Sequence, residues 1–436
     1  MKNKRSRKDK RITVLTLGCA KNVVDSERLI GMIKKHDLRH SYDINDTDAL
    51  VINTCGFIKP AKAESIDTIM EAVGMKEQGL ISEIIVTGCL SQRYMKELSE
   101  QIPAVDAFFG VEDFEPILRY LSPNVKKITK SKRELLTPNH FAYLKIAEGC
   151  NHKCSFCAIP LIKGNYRSVP QKDILKEAKY LVNKGVREIN IIAQDTTYYG
   201  IDLDGKRQIS KLMNVLSNEV KADWLRLMYT YPAGFPEDLL DAIKDQENIC
   251  NYIDIPLQHI SDRMLKSMKR GIGKKSTIEL VDKIRNKVPE VAIRTAFITG
   301  YPGETDEDFR ELYDFIEQYE LDRVGVFLYS HEENTPAYLL EDDVPEKIKE
   351  ERRDELMKLQ SSISLKNNRK KINSTLRVLI DDRNEDGTYF GRTEHDAPDV
   401  DNGVIIDSPL ELKTGSFTDV KITEAYEYDL YGIAAI

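Results

Sequence analysis

Short apolar runs alternate with helix-length amphipathic stretches over the first three-quarters of the chain, and the period changes near residue 370. The runs Ile12-Thr13-Val14-Leu15-Thr16-Leu17, Ala49-Leu50-Val51-Ile52 and Glu83-Ile84-Ile85-Val86 read as strands. Between and after them, apolar positions at helical spacing (Val24, Leu29, Ile30, Ile33) and the stretches 61–73 and 92–101 read as helices. Continuous apolar strands separated by amphipathic helices are the pattern of a parallel sheet covered on both faces. Residues 12–130 are therefore expected to form a doubly wound α/β domain, closed by a polar, Lys-rich connector near 126–133.

A second alternation follows. Candidate strands are 142–147, 188–192, 224–229, 252–255, 291–298 and 323–328, with helices over 173–183, 237–244, 276–287 and 306–318. Six β/α units are too few for a closed eight-stranded barrel, so residues 136–366 are expected to form a partial, TIM-like (βα)6 barrel with function at the C-terminal strand ends. Gly300-Tyr301-Pro302-Gly303-Glu304-Thr305 reads as a turn and cap entering a helix, and Asn334 occupies a position that calls for positive φ. Residues 345–371, with Leu356 and Leu359 at helical spacing, read as a helical linker. Beyond it, short strands punctuated by Gly, Asp, Asn and Pro predict a small antiparallel β-barrel over 369–436.

The 436 residues, 41% apolar and 31% charged, exclude a disordered, fibrous or small disulfide-stapled protein and suit about three domains. No run approaches the ~20 apolar residues of a membrane span, and the N-terminus lacks a signal-peptide core. A cytoplasmic protein with no membrane partner is expected. The net charge of -7 is uneven. Residues 1–11 hold seven basic side chains and one acidic, and read as a disordered basic tail or a weak nucleic-acid tether. From Lys371 onward six basic residues face fourteen acidic ones, a poor footprint for a phosphate backbone and a better one for a basic protein.

Seven cysteines in a chain of this type point to metal or redox chemistry rather than to disulfides. Cys150-Asn151-His152-Lys153-Cys154-Ser155-Phe156-Cys157 puts three thiols on one loop after the first barrel strand. Such a loop can hold three irons of a 4Fe-4S cluster and leave the fourth open to a small molecule. A zinc site with His152 as fourth ligand, or coincidence, are the alternatives. Cys19, Cys55 and Cys89 are far apart in sequence, but each follows a strand, and parallel strands bring their C-terminal ends to one edge. They read as a second cluster site, or as three ordinary small residues in strand–helix turns. Cys250 reads as buried core.

The loop pattern C-x-x-x-C-x-aromatic-C resembles the radical S-adenosylmethionine superfamily. With Thr16-Leu17-Gly18-Cys19-Ala20-Lys21-Asn22, Asp25-Ser26-Glu27, Asn53-Thr54-Cys55-Gly56-Phe57-Ile58 and Thr87-Gly88-Cys89-Leu90, nearly the whole chain resembles the methylthiotransferases, the last domain being TRAM-like. The resemblance implies two 4Fe-4S clusters, one on Cys150, Cys154 and Cys157 as catalytic ligands and one on Cys19, Cys55 and Cys89. It implies S-adenosyl-L-methionine as methyl donor and radical source, Phe156 against that cofactor, and an electron donor as partner. The reaction implied is conversion of C–H to C–S–CH3.

Within the family the substrate is either an aspartate β-carbon of the twelfth protein of the small ribosomal subunit or, as the alternative, a tRNA adenosine. The residues around Cys19 and Cys55, Ala193-Gln194-Asp195-Thr196-Thr197 and Gly391-Arg392-Thr393-Glu394-His395-Asp396-Ala397-Pro398-Asp399 resemble the ribosomal-protein branch. The acidic C-terminal module agrees. Gln194, Gln258 and Arg294 are candidates to hold cofactor or substrate near the barrel mouth, or to make structural hydrogen bonds there. A reading of another class is a non-enzymatic iron–sulfur or zinc protein whose small barrel only binds RNA or ribosomes.

Overall fold

The computed structural model describes residues 10–123, 125, 128 and 132–435. Most of the expected basic tail and Lys-rich connector lies outside the described residues. Arg11 belongs to the first strand rather than the tail, and Arg133 is buried against Glu27. The chain groups into two compact units. The first is Met1–Leu136 with Gly149–Asn151 and Ala158–Asn165, and the second is Thr137–Glu148, His152–Cys157 and Tyr166–Ile436. Among the described residues no helix is long and apolar enough to cross a membrane.

The first unit contains β1 (Arg11–Thr16), α1 (Ala20–Lys35), β2 (Arg39–His40), β3 (Ala49–Thr54), α2 (Lys59–Glu77), β4 (Glu83–Gly88), α3 (Cys89–Gln101), β5 (Ala107–Phe108) and α4 (Phe114–Leu121). Its five strands are parallel in the order β2-β1-β3-β4-β5, the expected doubly wound arrangement. Alternate residues of each strand serve opposite faces. Ile12, Val14, Ala49, Val51 and Ile85 pack with α1 and α4, while Leu50, Ile52, Ile84 and Val86 pack with α2 and α3. β3 is buried along its whole length, and each aliphatic side chain so covered contributes ~1.5–3 kcal/mol.

The second unit begins with β6 (Phe141–Lys145) and β7 (Ala147–Glu148). The short α5 (Ile159–Lys163) that follows groups with the first unit. The unit continues with β8 (Arg167–Ser168), α6 (Gln171–Asn183), β9 (Glu188–Ile192), α7 (Ile201–Asp204), α8 (Ile209–Glu219), β10 (Trp224–Leu227), α9 (Asp238–Asp245), β11 (Tyr252–Asp254), α10 (Asp262–Ser267), α11 (Lys274–Lys287), β12 (Ala292–Thr299), α12 (Asp306–Tyr319), β13 (Arg323–Leu328) and α13 (Glu346–Arg369). Two three-stranded parallel sheets, β10-β9-β6 and β11-β12-β13, meet where Leu225 bridges Ile249. The result is the six-stranded partial barrel expected. Asn334 has φ 64°.

α13 differs from the expected linker. It lies along β13 and β12, with Lys349 and Arg352 buried and Gln360 Nε2 donating to the Leu321 carbonyl at 3.0 Å. An outermost strand needs cover, and this helix supplies it.

β14 (Thr375–Arg383), β15 (Tyr389–Arg392), β16 (Val404–Asp407), β17 (Phe417–Ala425) and β18 (Leu430–Ala434) close a barrel in the order β14-β15-β16-β18-β17. β16 and β18 run parallel, so the barrel is not antiparallel throughout as expected. Residues 391–401 reach back to the N-terminal ends of the larger barrel's strands. Glu188, the first residue of β9, accepts from Arg226 Nε (2.8 Å) and from Arg392 Nη1 (2.6 Å). Arg323 donates to Asp396 (2.6 Å), Tyr252 to Asp401 (2.6 Å) and Tyr143 to Asp399 (2.8 Å). Burial pushes the Asp396 carboxyl up, but Arg323 and Lys371 beside it outweigh that and hold it well below the usual carboxylate range.

Removing one member of a buried ion pair strands the other, at about 3–5 kcal/mol. Glu188→Ala strands two arginines, so its unfolding free energy in denaturant should fall by about that amount. An exposed pair such as Lys179–Glu219 should give under ~1 kcal/mol when Glu219→Ala is measured the same way.

Candidate active site

In the first unit Cys19, Cys55 and Cys89 follow β1, β3 and β4, the first two of which straddle the point where strand order reverses. Open α/β sheets hold ligands there. Gly18 (φ 87°) lets the chain pass so close to the second turn that a Cβ on it would sit 3.0 Å from the Cys55 sulfur. Gly88 (φ 97°) turns the chain from β4 into α3. Cys19 caps α1 and Cys89 opens α3, and a helix N-terminus favours a thiolate. Asn22 Nδ2 donates to the carbonyls of Leu17 (2.8 Å) and Thr54 (3.2 Å), while Asn53 Nδ2 donates to Asn22 O (3.1 Å) and Ser26 Oγ (3.0 Å). These amides tie the strand ends together.

The three thiols feel one another. Burial raises Cys55, with Cys19 adding to the effect. Burial pushes Cys89 up to about 12, Lys163 offsets part of it, and Cys19 and Cys55 add to it. Thiols in this condition are inert until a metal takes the proton. Among the described residues no three cysteine sulfurs lie within 4.8 Å of one another.

The Asp25-Ser26-Glu27 run is scaffold. Asp25 pairs with Lys163 (3.3 Å), Ser26 Oγ accepts from Thr16 (2.7 Å), and Glu27 accepts from Arg133 (2.8 Å) and the Leu136 amide (2.8 Å).

The second cysteine loop leaves β7. Ser155, at its centre, donates to the Ser267 carbonyl (2.9 Å) and shares a hydrogen bond with Tyr301 (2.9 Å), and its carbonyl accepts from Ala337 N (2.8 Å). Phe156 packs against Met264, Met268, Ile298, Tyr301, Tyr329 and Ala337. Cys154 is buried, with Arg270 Nη1 donating to its sulfur at 3.2 Å and the Tyr231 hydroxyl 3.6 Å away. His152 pairs with Asp195 (2.6 Å) and stacks on Tyr231 with ring centroids 3.6 Å apart. Its Nε2 is thus engaged by a carboxylate.

The three weaker candidates fare differently. Gln194, just past β9, donates to Glu148 Oε1 (2.7 Å), and its own Oε1 is buried without a partner, an acceptor left for a ligand. Gln258 (φ 74°) pairs its backbone with Ala296 and Ile298 of β12, and its half-buried amide makes no hydrogen bond among the described residues. Arg294 does not reach the strand ends. It is the third residue of β12, ion-paired with Asp254 (3.0 Å) and Asp401 (3.2 Å), because the N-terminal half of a strand faces the small barrel rather than the mouth. Arg270, Tyr231 and Lys163 were not legible as site residues. Met268-Lys269-Arg270-Gly271 carries only a helix-end signal, and Lys163 carries none.

An open barrel with three thiols on its first loop, and a doubly wound unit with three more at its strand ends, fit the radical S-adenosylmethionine class of iron–sulfur proteins. Family descriptions agree. Residues 144–316 match the radical SAM superfamily, 11–110 the uncharacterized protein family UPF0004 and 372–434 the TRAM domain. The chain is 49% identical over 98% of its length to the ribosomal protein uS12 methylthiotransferase RimO of Christiangramia forsetii, covering 95% of that protein. It is 50% identical over 97% of its length to the protein of that name from Chlorobaculum parvum, covering 96% of it. Among solved structures, the radical S-adenosylmethionine methyltransferase TsrM from Kitasatospora setae superposes with TM-score 0.54 at 12% identity, over 76% of this chain and 77% of that one. The chain belongs to the family of ribosomal protein uS12 methylthiotransferases. Membership brings an iron–sulfur cluster and S-adenosylmethionine to the site.

The turn after β12 closes on the expected cap, now a full box. Thr305 accepts from Asp308 N (3.3 Å), and Asp308 accepts from Thr305 N (3.0 Å) and from Ser261 (2.6 Å). Burial raises the Asp308 carboxyl, but Ser261, Thr305 and Arg263 donate to it and hold it down to about 2. A depressed carboxylate contributes stability that is complete above its unfolded value, ~3.9, and is lost as pH falls through the folded one. Asp308→Asn should therefore lower stability by about 1 kcal/mol at neutral pH. In denaturant titrations the gap from wild type should shrink between pH ~4 and about 2.

Proposed function

We propose that this chain attaches a methylthio group to the β-carbon of an aspartate in uS12, the twelfth protein of the small ribosomal subunit. The observation that carries this is near-full-length identity of about 49% to proteins of that name, and the two sets of three cysteines, one on a single loop and one after three strands, support it. Cys150, Cys154 and Cys157 hold one 4Fe-4S cluster as catalytic ligands, and Cys19, Cys55 and Cys89 hold the other. When bound, the clusters and S-adenosylmethionine supply hydrogen-atom abstraction and a methylated sulfur. Phe156 contributes an apolar wall to the cofactor pocket. The unpartnered Gln194 carbonyl would offer the cofactor an acceptor, and Gln258 would offer a second polar contact.

The substrate is a basic protein, and the small barrel suits it. Of the fourteen acidic residues from Lys371 onward, nine are exposed, against four exposed basic ones. The other five are half-buried or buried, and four of them (Asp381, Glu394, Asp396, Asp401) bond basic residues or the larger barrel. That surface disfavours tRNA. The protein works in the cytoplasm and draws its electrons from a reducing partner.

Incubated anaerobically with iron, sulfide, S-adenosylmethionine and a reductant, the protein should add the mass of a methylthio group to an aspartate-containing peptide of uS12. Unmodified tRNA in a parallel tube should gain none. Gain on a tRNA adenosine alone would refute the substrate. Iron analysis should give about eight irons per chain for wild type and about four for Cys19→Ala/Cys55→Ala/Cys89→Ala. Equal iron in the two would refute the second cluster.

A further inference from the structure

Arg270 is 3% exposed and sits in a turn between two residues of positive φ, Lys269 (54°) and Gly271 (70°). Its amide closes the end of α10 on the Leu265 carbonyl at 3.0 Å. The guanidinium donates to Pro256 O (2.6 Å) and to the Cys154 sulfur (3.2 Å). It lies 4.3 Å from the Tyr231 ring centroid, and the Tyr231 hydroxyl donates back to the Arg270 carbonyl (2.8 Å). Its Nε is buried without a partner. Among the described residues no carboxylate pairs with it, whereas every other deeply buried arginine of the barrel (Arg226, Arg323) has one.

A dry guanidinium needs a counter-charge. The group that Arg270 faces is the Cys154 sulfur, which is neutral as a thiol and negative as a cluster ligand. Net charge and hydrogen bonds to sulfur set the reduction potential of such clusters. One added electron places negative charge beside a fixed positive one in a site with little water to screen it, and no bond forms or breaks in that step.

We infer that Arg270 is a positioning residue that raises the reduction potential of the cluster on Cys150, Cys154 and Cys157, with Tyr231 holding the guanidinium in place. This rests on the reading of that loop as a cluster site.

The test uses the full chain carrying Cys19→Ala/Cys55→Ala/Cys89→Ala, so that only the loop cluster contributes. Dithionite supplies the electron, and the reduced signal is followed by electron paramagnetic resonance against solution potential. Arg270→Gln keeps size and a donor but removes the charge. Its midpoint should fall by at least the equivalent of a tenfold loss in the reduction equilibrium, 59 mV for one electron. Arg270→Lys should stay close to the parent. An unchanged midpoint in Arg270→Gln overturns the inference. So does failure of either variant to load iron while its circular dichroism stays native, since Arg270 would then serve assembly alone. If the parent with an intact loop shows no cluster signal that S-adenosylmethionine perturbs, the proposed site itself fails, a separate result.

Discussion

Glu188 is fully buried where β9 begins, and both of its oxygens are taken by arginines, one from the neighbouring strand and one from the small barrel. Charges this dry persist only when each is matched, so the geometry around them is over-determined. Arg226 also donates to carbonyls of residues 393 and 394, and Arg392 also binds Asp381. One end of the larger barrel is thereby fixed by electrostatics rather than by aliphatic packing. The opposite ends of the same strands carry the cysteine loop, Gln194 and the turn into α12. A rigid floor leaves those loops free to be shaped by their ligands.

The two cysteine sets reach comparable ends by different means. In the first unit, close backbone approach at Gly18 and amide clasps from Asn22 and Asn53 gather three distant turns. In the second, three thiols arrive on one loop whose middle is tethered through Ser155 to Ser267 and Tyr301. The first runs from an exposed Cys19 to a buried Cys89, whose thiol a buried lysine partly offsets. The second meets a buried arginine at Cys154. Each places a cation beside a cysteine sulfur.

Much of this was legible in the sequence because it is local. Strands 188–192 and 323–328 match their expected bounds, helix periodicity located the covering helices, and Asn334 adopts the left-handed conformation its position called for. Cys19, Cys55 and Cys89 each lie just after a parallel strand, as their sequence positions called for. What escaped depends on long-range pairing. Arg294 was placed by its strand and not by its rank within it, and its partner Asp401 lies in another barrel. The run 391–399, noted only for resemblance, turns out to plug the larger barrel. The parallel β16–β18 pair and the packing of α13 left no periodic trace.

The floor has a consequence for how the chain matures. Its bonds join residues 204 positions apart at Glu188 and Arg392, and 256 apart at Tyr143 and Asp399. While a nascent chain still lacks its last module, Glu188, Arg226 and Arg323 have no complete set of partners, and contacts of such sequence separation form late. The catalytic barrel therefore reaches its final form only after the C-terminal strands leave the ribosome. The larger barrel is finished, in effect, from the small barrel inward.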